Sequence, residues 1–127
     1  MREIKFRGQC LNGDWVYGLL CKPTVGKYAG ETFISNSGGI PMAFSVRPET
    51  VGQFTGLLDK NGVDVFEGDI VSWSNKTYTI KWHENIAAFV MEEDENKLER
   101  PDIEFQSKVI GNIYESKHLI DNTDTKV

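Results

Sequence analysis

Several things are scarce in this sequence. Two cysteines in 127 residues are too few for a disulfide scaffold. Two histidines, His83 and His118, stand 35 positions apart, and neither lies in a metal-binding spacing. No glycine-rich phosphate loop precedes a helix, and there is no nucleophile elbow. The longest apolar run falls far short of the roughly 20 residues that span a bilayer. The opening MREIKFRG alternates charged and apolar residues and has no signal-peptide core. Fourteen basic residues face 19 acidic ones, a net charge of −5. That excludes a chain-wide basic field for nucleic acid. The expectation left standing is a soluble, cytosolic chain with one domain over residues 1–120 and no membrane segment.

The acidic excess is local. Glu92 to Glu104 holds seven acidic residues against Lys97 and Arg100, while the rest of the chain carries 12 of each sign. A run of like charge repels itself and favours water, so Glu92 to Arg100 reads as an exposed loop or short helix. Pro101 disfavours a helical Arg100 and suits a return to extended chain. As a docking surface or cation site, Glu92, Glu93, Asp94 and Glu95 are the candidates; the plainer reading is a solvated connector.

Short extended runs separated by turn signals dominate what remains. Thr77 to Trp82 alternates cleanly, with Tyr78, Ile80 and Trp82 on one face. Asp59-Lys60-Asn61-Gly62 suits a type I turn followed by a left-handed glycine. Gly68 precedes a bend that Asp69 pins. Gly111 marks a bulge in the last strand, Ile103 to Tyr114. Turns are read at Ser37-Gly38-Gly39, Ser74-Asn75-Lys76 and His83-Glu84-Asn85. No amphipathic helix of ordinary length is present. The fold class is therefore mainly β: a small barrel or pseudo-barrel of about eight short strands and hairpins, with at most a short C-terminal helix over Glu115 to Leu119. The alternative is α+β. Residues 121–127 form a polar, frayed tail.

Ile4 to Lys22 reads as a hairpin around Asn12-Gly13. If those two residues are the loop, Cys10 faces Trp15, Gly8 faces Tyr17, Phe6 faces Leu19, Ile4 faces Cys21 and Glu3 faces Lys22. That register separates the two cysteines by about 20 Å, which excludes a disulfide and leaves both as buried apolar fillers. It also leaves an open ribbon face of Lys5, Arg7, Val16 and Leu20. Arg2, Lys5 and Arg7 give this strand a cationic edge that guards against aggregation or meets phosphate or an acidic neighbour.

Two constellations invite chemistry. Asp59, Asp64, Glu67 and Asp69 are a compact carboxylate group. A calcium loop fails here, because its glycine belongs at position six and its glutamate at position twelve, where this chain has Gly62 at position four and Ile70. A metal-dependent hydrolase is the enzymatic alternative. The plainer account has Asp59 shaping a turn and Asp69 a bend, with Asp64 and Glu67 in water. Trp73, Lys76, Tyr78, Lys81 and Trp82 would suit stacking of single-stranded bases if the rings were exposed; aromatics at period two are more often core.

Three segments carry a family signature: IKFRG (Ile4 to Gly8) with DWVYG (Asp14 to Gly18), RPETVGQFTGLLDKNGVDVFEGDIV (Arg47 to Val71), and VIGNIYES (Val109 to Ser116). In these the chain resembles the YopX family of phage and prophage proteins. The resemblance implies a small phage-encoded accessory protein of uncharacterised function in the bacterial host cytoplasm, and homo-oligomeric assembly. It carries over no catalytic, cofactor-binding or metal-ligating residue.

The expected function is accordingly a non-enzymatic module without cofactors that self-associates and binds a host or phage protein. In that reading the Lys5–Arg7 ribbon face meets the acidic segment of a neighbour. A nucleic-acid-binding barrel is the alternative, and is not favoured.

Overall fold

The protein is described here by a computed structural model, over residues 3–36, 42–100, 103 and 106–116. Expectations for Arg2, Ser37-Gly38-Gly39, Pro101, Asp102, Glu104, His118 and residues 117–127 lie outside that description. The structure is mainly β and antiparallel. The chain divides into two compact units, Met1–Phe54 and Thr55–Val127.

The first unit contains β1 (Phe6–Gln9), β2 (Trp15–Cys21), β3 (Phe33–Asn36), β4 (Met42–Ser45), a 3-10 turn (Pro48–Thr50) and the start of β5 (Gly52–Leu58). Its strands lie in the order β4-β3-β2-β1-β5. Ile34, Val46 and Phe54 are buried here. Gly8 must be glycine, because a Cβ there would meet Val46 Cγ2 at 2.9 Å.

The first hairpin differs from expectation by one residue. Gln9 pairs with Trp15, Gly8 with Val16, Arg7 with Tyr17 and Phe6 with Gly18. The loop has three residues rather than two. Gly13 N donates to Cys10 O at 2.9 Å, Cys10 N donates to Asp14 O at 2.8 Å, and Gly13 has φ +97°. That is a type I turn closed by a left-handed glycine, the commonest three-residue hairpin loop. Asn12 caps it by accepting from Asp14 N at 2.9 Å. A slip of one residue moves every side chain of one strand to the other face. Glu3 meets Lys5 at 3.7 Å rather than Lys22. Both cysteines are free, and Cys21 is exposed rather than a core filler.

The second unit holds the end of β5, then β6 (Asp64–Phe66), β7 (Asp69–Trp73), β8 (Lys76–His83), β9 (Ala88–Glu93), β10 (Glu99–Arg100) and β11 (Lys108–Asn112). β5 and β6 are joined by the same loop type. Gly62 N donates to Asp59 O at 3.0 Å, Asp59 N to Val63 O at 2.8 Å, and Gly62 has φ +80°, as the sequence suggests. The other five strands lie in the order β10-β9-β8-β7-β11. Val65, Val71, Tyr78, Ile80 and Met91 form the buried cluster, with Trp73, Phe89, Ile103 and Val109 packed on it. Each such side chain contributes roughly 1.5–3 kcal/mol on full burial. β11 carries a register shift between Val109 and Gly111, the expected bulge.

The acidic segment is not a solvated connector. β9 runs on through Glu92 and Glu93, and β10 returns beside it, pairing Glu99 with Glu92 and Arg100 with Met91. Only the tip of this hairpin, Glu95 to Glu99, is exposed throughout.

Candidate functional site

The register decides which side chains share the ribbon face of the first hairpin. Lys5 and Arg7 lie with Trp15, Tyr17 and Leu19, not with Val16 and Leu20, which take the other face and are half-buried. Arg7 is only 6% exposed, its guanidinium 5.0 Å from the Trp15 ring centroid. Lys5 lies 4.8 Å from the Phe54 ring centroid. Tyr17 and Leu19 are exposed. So the four expected residues do not form one surface.

The acidic residues are largely committed to neighbours. Lys81 Nζ donates to Glu92 Oε1 at 2.6 Å. Glu93, 4% exposed, faces Lys76 Nζ at 3.1 Å and accepts from Asn96 Nδ2 at 3.0 Å. Its hydrogen bond and charge hold the Lys76 ammonium above its ordinary value. Asp94, 8% exposed, accepts from Thr79 Oγ1 at 2.8 Å. Glu95 alone of the four projects into water.

The same pairs bear on the stacking platform, which the sequence offered only as the alternative to a core. Lys76 and Lys81 are held by Glu93 and Glu92. Tyr78 is buried in the core. Trp73 is half-buried under the Arg100 guanidinium, 4.3 Å from its ring centroid. Trp82 is the exception. It shares the parity of Tyr78 and Ile80, yet 44% of its surface is exposed, with Phe89 packed against one edge at 5.0 Å.

Two of the four carboxylates from Asp59 to Asp69, Asp59 and Asp69, are occupied by backbone. Asp59 Oδ1 accepts from Asn61 N at 2.8 Å and Val63 N at 2.9 Å, and Oδ2 accepts from Val109 N at 2.9 Å. Burial pushes this carboxyl up, but the three N–H donors and Lys60 outweigh it and hold the acid below the usual carboxylate value. Asp69, fully buried, accepts from Phe66 N at 2.8 Å. Asp64 and Glu67 are half-buried rather than free in water. Among the described residues no group of three His, Cys, Asp or Glu could hold a metal ion. His83 Nε2 lies 3.2 Å from Glu99 Oε1.

Those two aspartates also close strand edges. In antiparallel pairing, alternate residues turn N–H and C=O toward one neighbour or the other. On β11 the outward Val109 N–H meets Asp59 Oδ2, and the outward Ser107 C=O accepts from Lys60 N at 2.9 Å. On β6 Phe66 N–H meets Asp69. β10 is two residues long and both are charged. Among the described residues, β4 has no such device. Val46 N donates to Thr32 O at 3.1 Å, continuing the β3–β4 register. Even-numbered residues of β4 therefore bond β3, and Ala43 and Ser45 turn their N–H and C=O outward. Both are exposed, and among the described residues no strand lies outside them. This feature was missed in the sequence. Its one signal there is that no charged residue occurs from Thr32 to Val46.

Among the described residues no helix is long and apolar enough to cross a membrane. A family model described as YopX protein matches residues 5–121. No curated protein matches the chain. Among solved structures, the crystal structure of protein EF1440 from Enterococcus faecalis is similar in fold, with a TM-score of 0.58 at 20% identity, covering 95% of this chain and 100% of that one.

Proposed function

The chain belongs to the YopX family, and from that premise we propose that it works by association rather than catalysis. It is a phage or prophage accessory module of the bacterial cytoplasm that pairs with further copies of itself. The partner surface is the β4 edge. Two copies meet there antiparallel about a two-fold axis, so that Ala43 and Ser45 of each exchange backbone hydrogen bonds with the other.

One observation carries this reading: β4 is an edge strand of neutral residues with two exposed residues facing outward, while β6, β10 and β11 are capped or charged. Open edges template pairing with another chain unless they are blunted. Two of the four carboxylates that a hydrolase would use, Asp59 and Asp69, are engaged by the backbone N–H groups of Asn61, Val63, Val109 and Phe66. Their placement supports a structural role.

Light scattering on the purified chain tests it. The expected mass is a multiple of 14.4 kDa at micromolar concentration. A monomer throughout would overturn the reading.

A further inference from the structure

The outer edge of β4 offers four backbone groups, the N–H and C=O of Ala43 and of Ser45. Val46 N bonds Thr32 O, so the even-numbered residues of β4 face β3. Among the described residues nothing bonds the outward four. A second copy related by a two-fold axis brings the same four groups, running antiparallel. Hydrogen-bonded pairs form between residues that both face outward. Within this edge the axis can therefore pass through position 43, 44 or 45.

The flanking residues separate these three registers. An axis at 43 sets Ser45 opposite Pro41, which has no N–H to give the Ser45 carbonyl. An axis at 45 sets Ala43 opposite Arg47, whose N–H already donates to Gln9 O at 2.8 Å. An axis at 44 sets Ala43 opposite Ser45 on both sides and satisfies all four groups of each copy. Position 44 then forms the non-hydrogen-bonded pair on the axis, with Cα atoms about 4.5 Å apart and side chains at their closest.

The residue at that position is Phe44. Leu20, Ile34 and Phe44 form one cross-strand row. Ile34, in the middle, is fully buried, and Phe44, at the open edge, is half-buried. A second Phe44 beyond the axis continues the row and covers the ring further, an aromatic pairing that cross-strand neighbours favour. Resting on the β4 pairing proposed above, we infer that Phe44 sets its register. Two copies meet with Phe44 against Phe44 on the two-fold axis and Ala43 against Ser45 on either side.

Single-cysteine chains test this, made in a Cys10→Ser, Cys21→Ser background and oxidised at micromolar concentration. Phe44→Cys should cross-link to a dimer, since a Cα separation of about 4.5 Å lies within disulfide range. Ala43→Cys alone and Ser45→Cys alone should cross-link about tenfold more slowly or not at all, because like positions are offset by roughly 7 Å along the strand. Mixing those two chains should give the cross-link that neither forms by itself. Both positions are exposed, so this arm holds even where Phe44→Cys fails to fold. Faster cross-linking of Ala43→Cys or Ser45→Cys by itself would keep the β4 pairing and overturn this register. An oligomeric wild type with no cross-link in any chain or in the mixture would overturn both the register and β4 as the surface. A wild-type monomer would overturn self-association altogether.

Discussion

The Asp59 carboxylate accepts the Val109 backbone N–H at 2.9 Å, across 50 residues of sequence. One side chain therefore both closes its own turn, through Asn61 and Val63, and caps the outer edge of β11. Asp69 does the same for Phe66 on β6. Aspartate suits this work because a short carboxylate can accept from two or three N–H groups at once. These caps leave β4 as the edge that self-association would use.

Asp59→Ala should cost about 2–4 kcal/mol, because three N–H groups lose a charged acceptor. Asp59→Asn should cost less, since its single carbonyl oxygen can serve the turn or β11 but not both. Urea unfolding at pH 7 measures each.

The pH dependence follows from the direction of the Asp59 shift. Its folded-state value is lowered, so the unfolded state binds the proton more readily. Its contribution is present above the ordinary aspartate range, near pH 4. It is lost as pH falls through the lower folded value. Between pH 5 and pH 2 the wild type should lose stability faster than Asp59→Asn. Parallel acid limbs for the two would contradict the assignment.

Glu93→Ala should destabilise the second unit by about 1–3 kcal/mol, leaving Asn96 without its acceptor and a hole beside Lys76. Glu95→Ala, at the exposed tip, should fall within about 0.5 kcal/mol of wild type. The comparison separates a built acidic hairpin from a solvated charge run.

Two backbone positions should respond in opposite directions. Ala87 has φ +51°, a conformation that costs a non-glycine residue about 1–2 kcal/mol. Part of that is offset by glycine's entropy when unfolded, so Ala87→Gly should gain up to about 1 kcal/mol. Gly68→Ala should lose about 1–3 kcal/mol, since it meets both a positive φ and the Tyr114 ring. Thermal unfolding reads both.

The parts of the fold governed by local chemistry were legible in the sequence. Thr77 to Trp82 alternates and is β8; Asp59 to Gly62 is the expected turn; Gly111 marks the bulge. The first hairpin was not, although its loop matches the second in type, with Asn12-Gly13 and Asn61-Gly62 in corresponding places. Asp59 signals the three-residue loop by starting the turn, and Cys10 gives no such signal. Burial of Glu93 and Asp94 depends on Lys76 and Thr79, which only strand pairing brings near. Trp82 escapes the core, despite its parity, because β7 stops before reaching it. The β4 edge was hidden for a related reason: which strand lies outermost is set by sheet order, not by any one strand's residues.

The most direct test of self-association through β4 is the mass of wild type and Ser45→Pro by light scattering over the same concentration range. Proline at 45 removes an outward N–H while leaving the β3 ladder intact. Wild type should be oligomeric, and Ser45→Pro should fall toward 14.4 kDa with its folded circular dichroism unchanged. A wild-type monomer, or a folded Ser45→Pro of unchanged oligomeric mass, would contradict it.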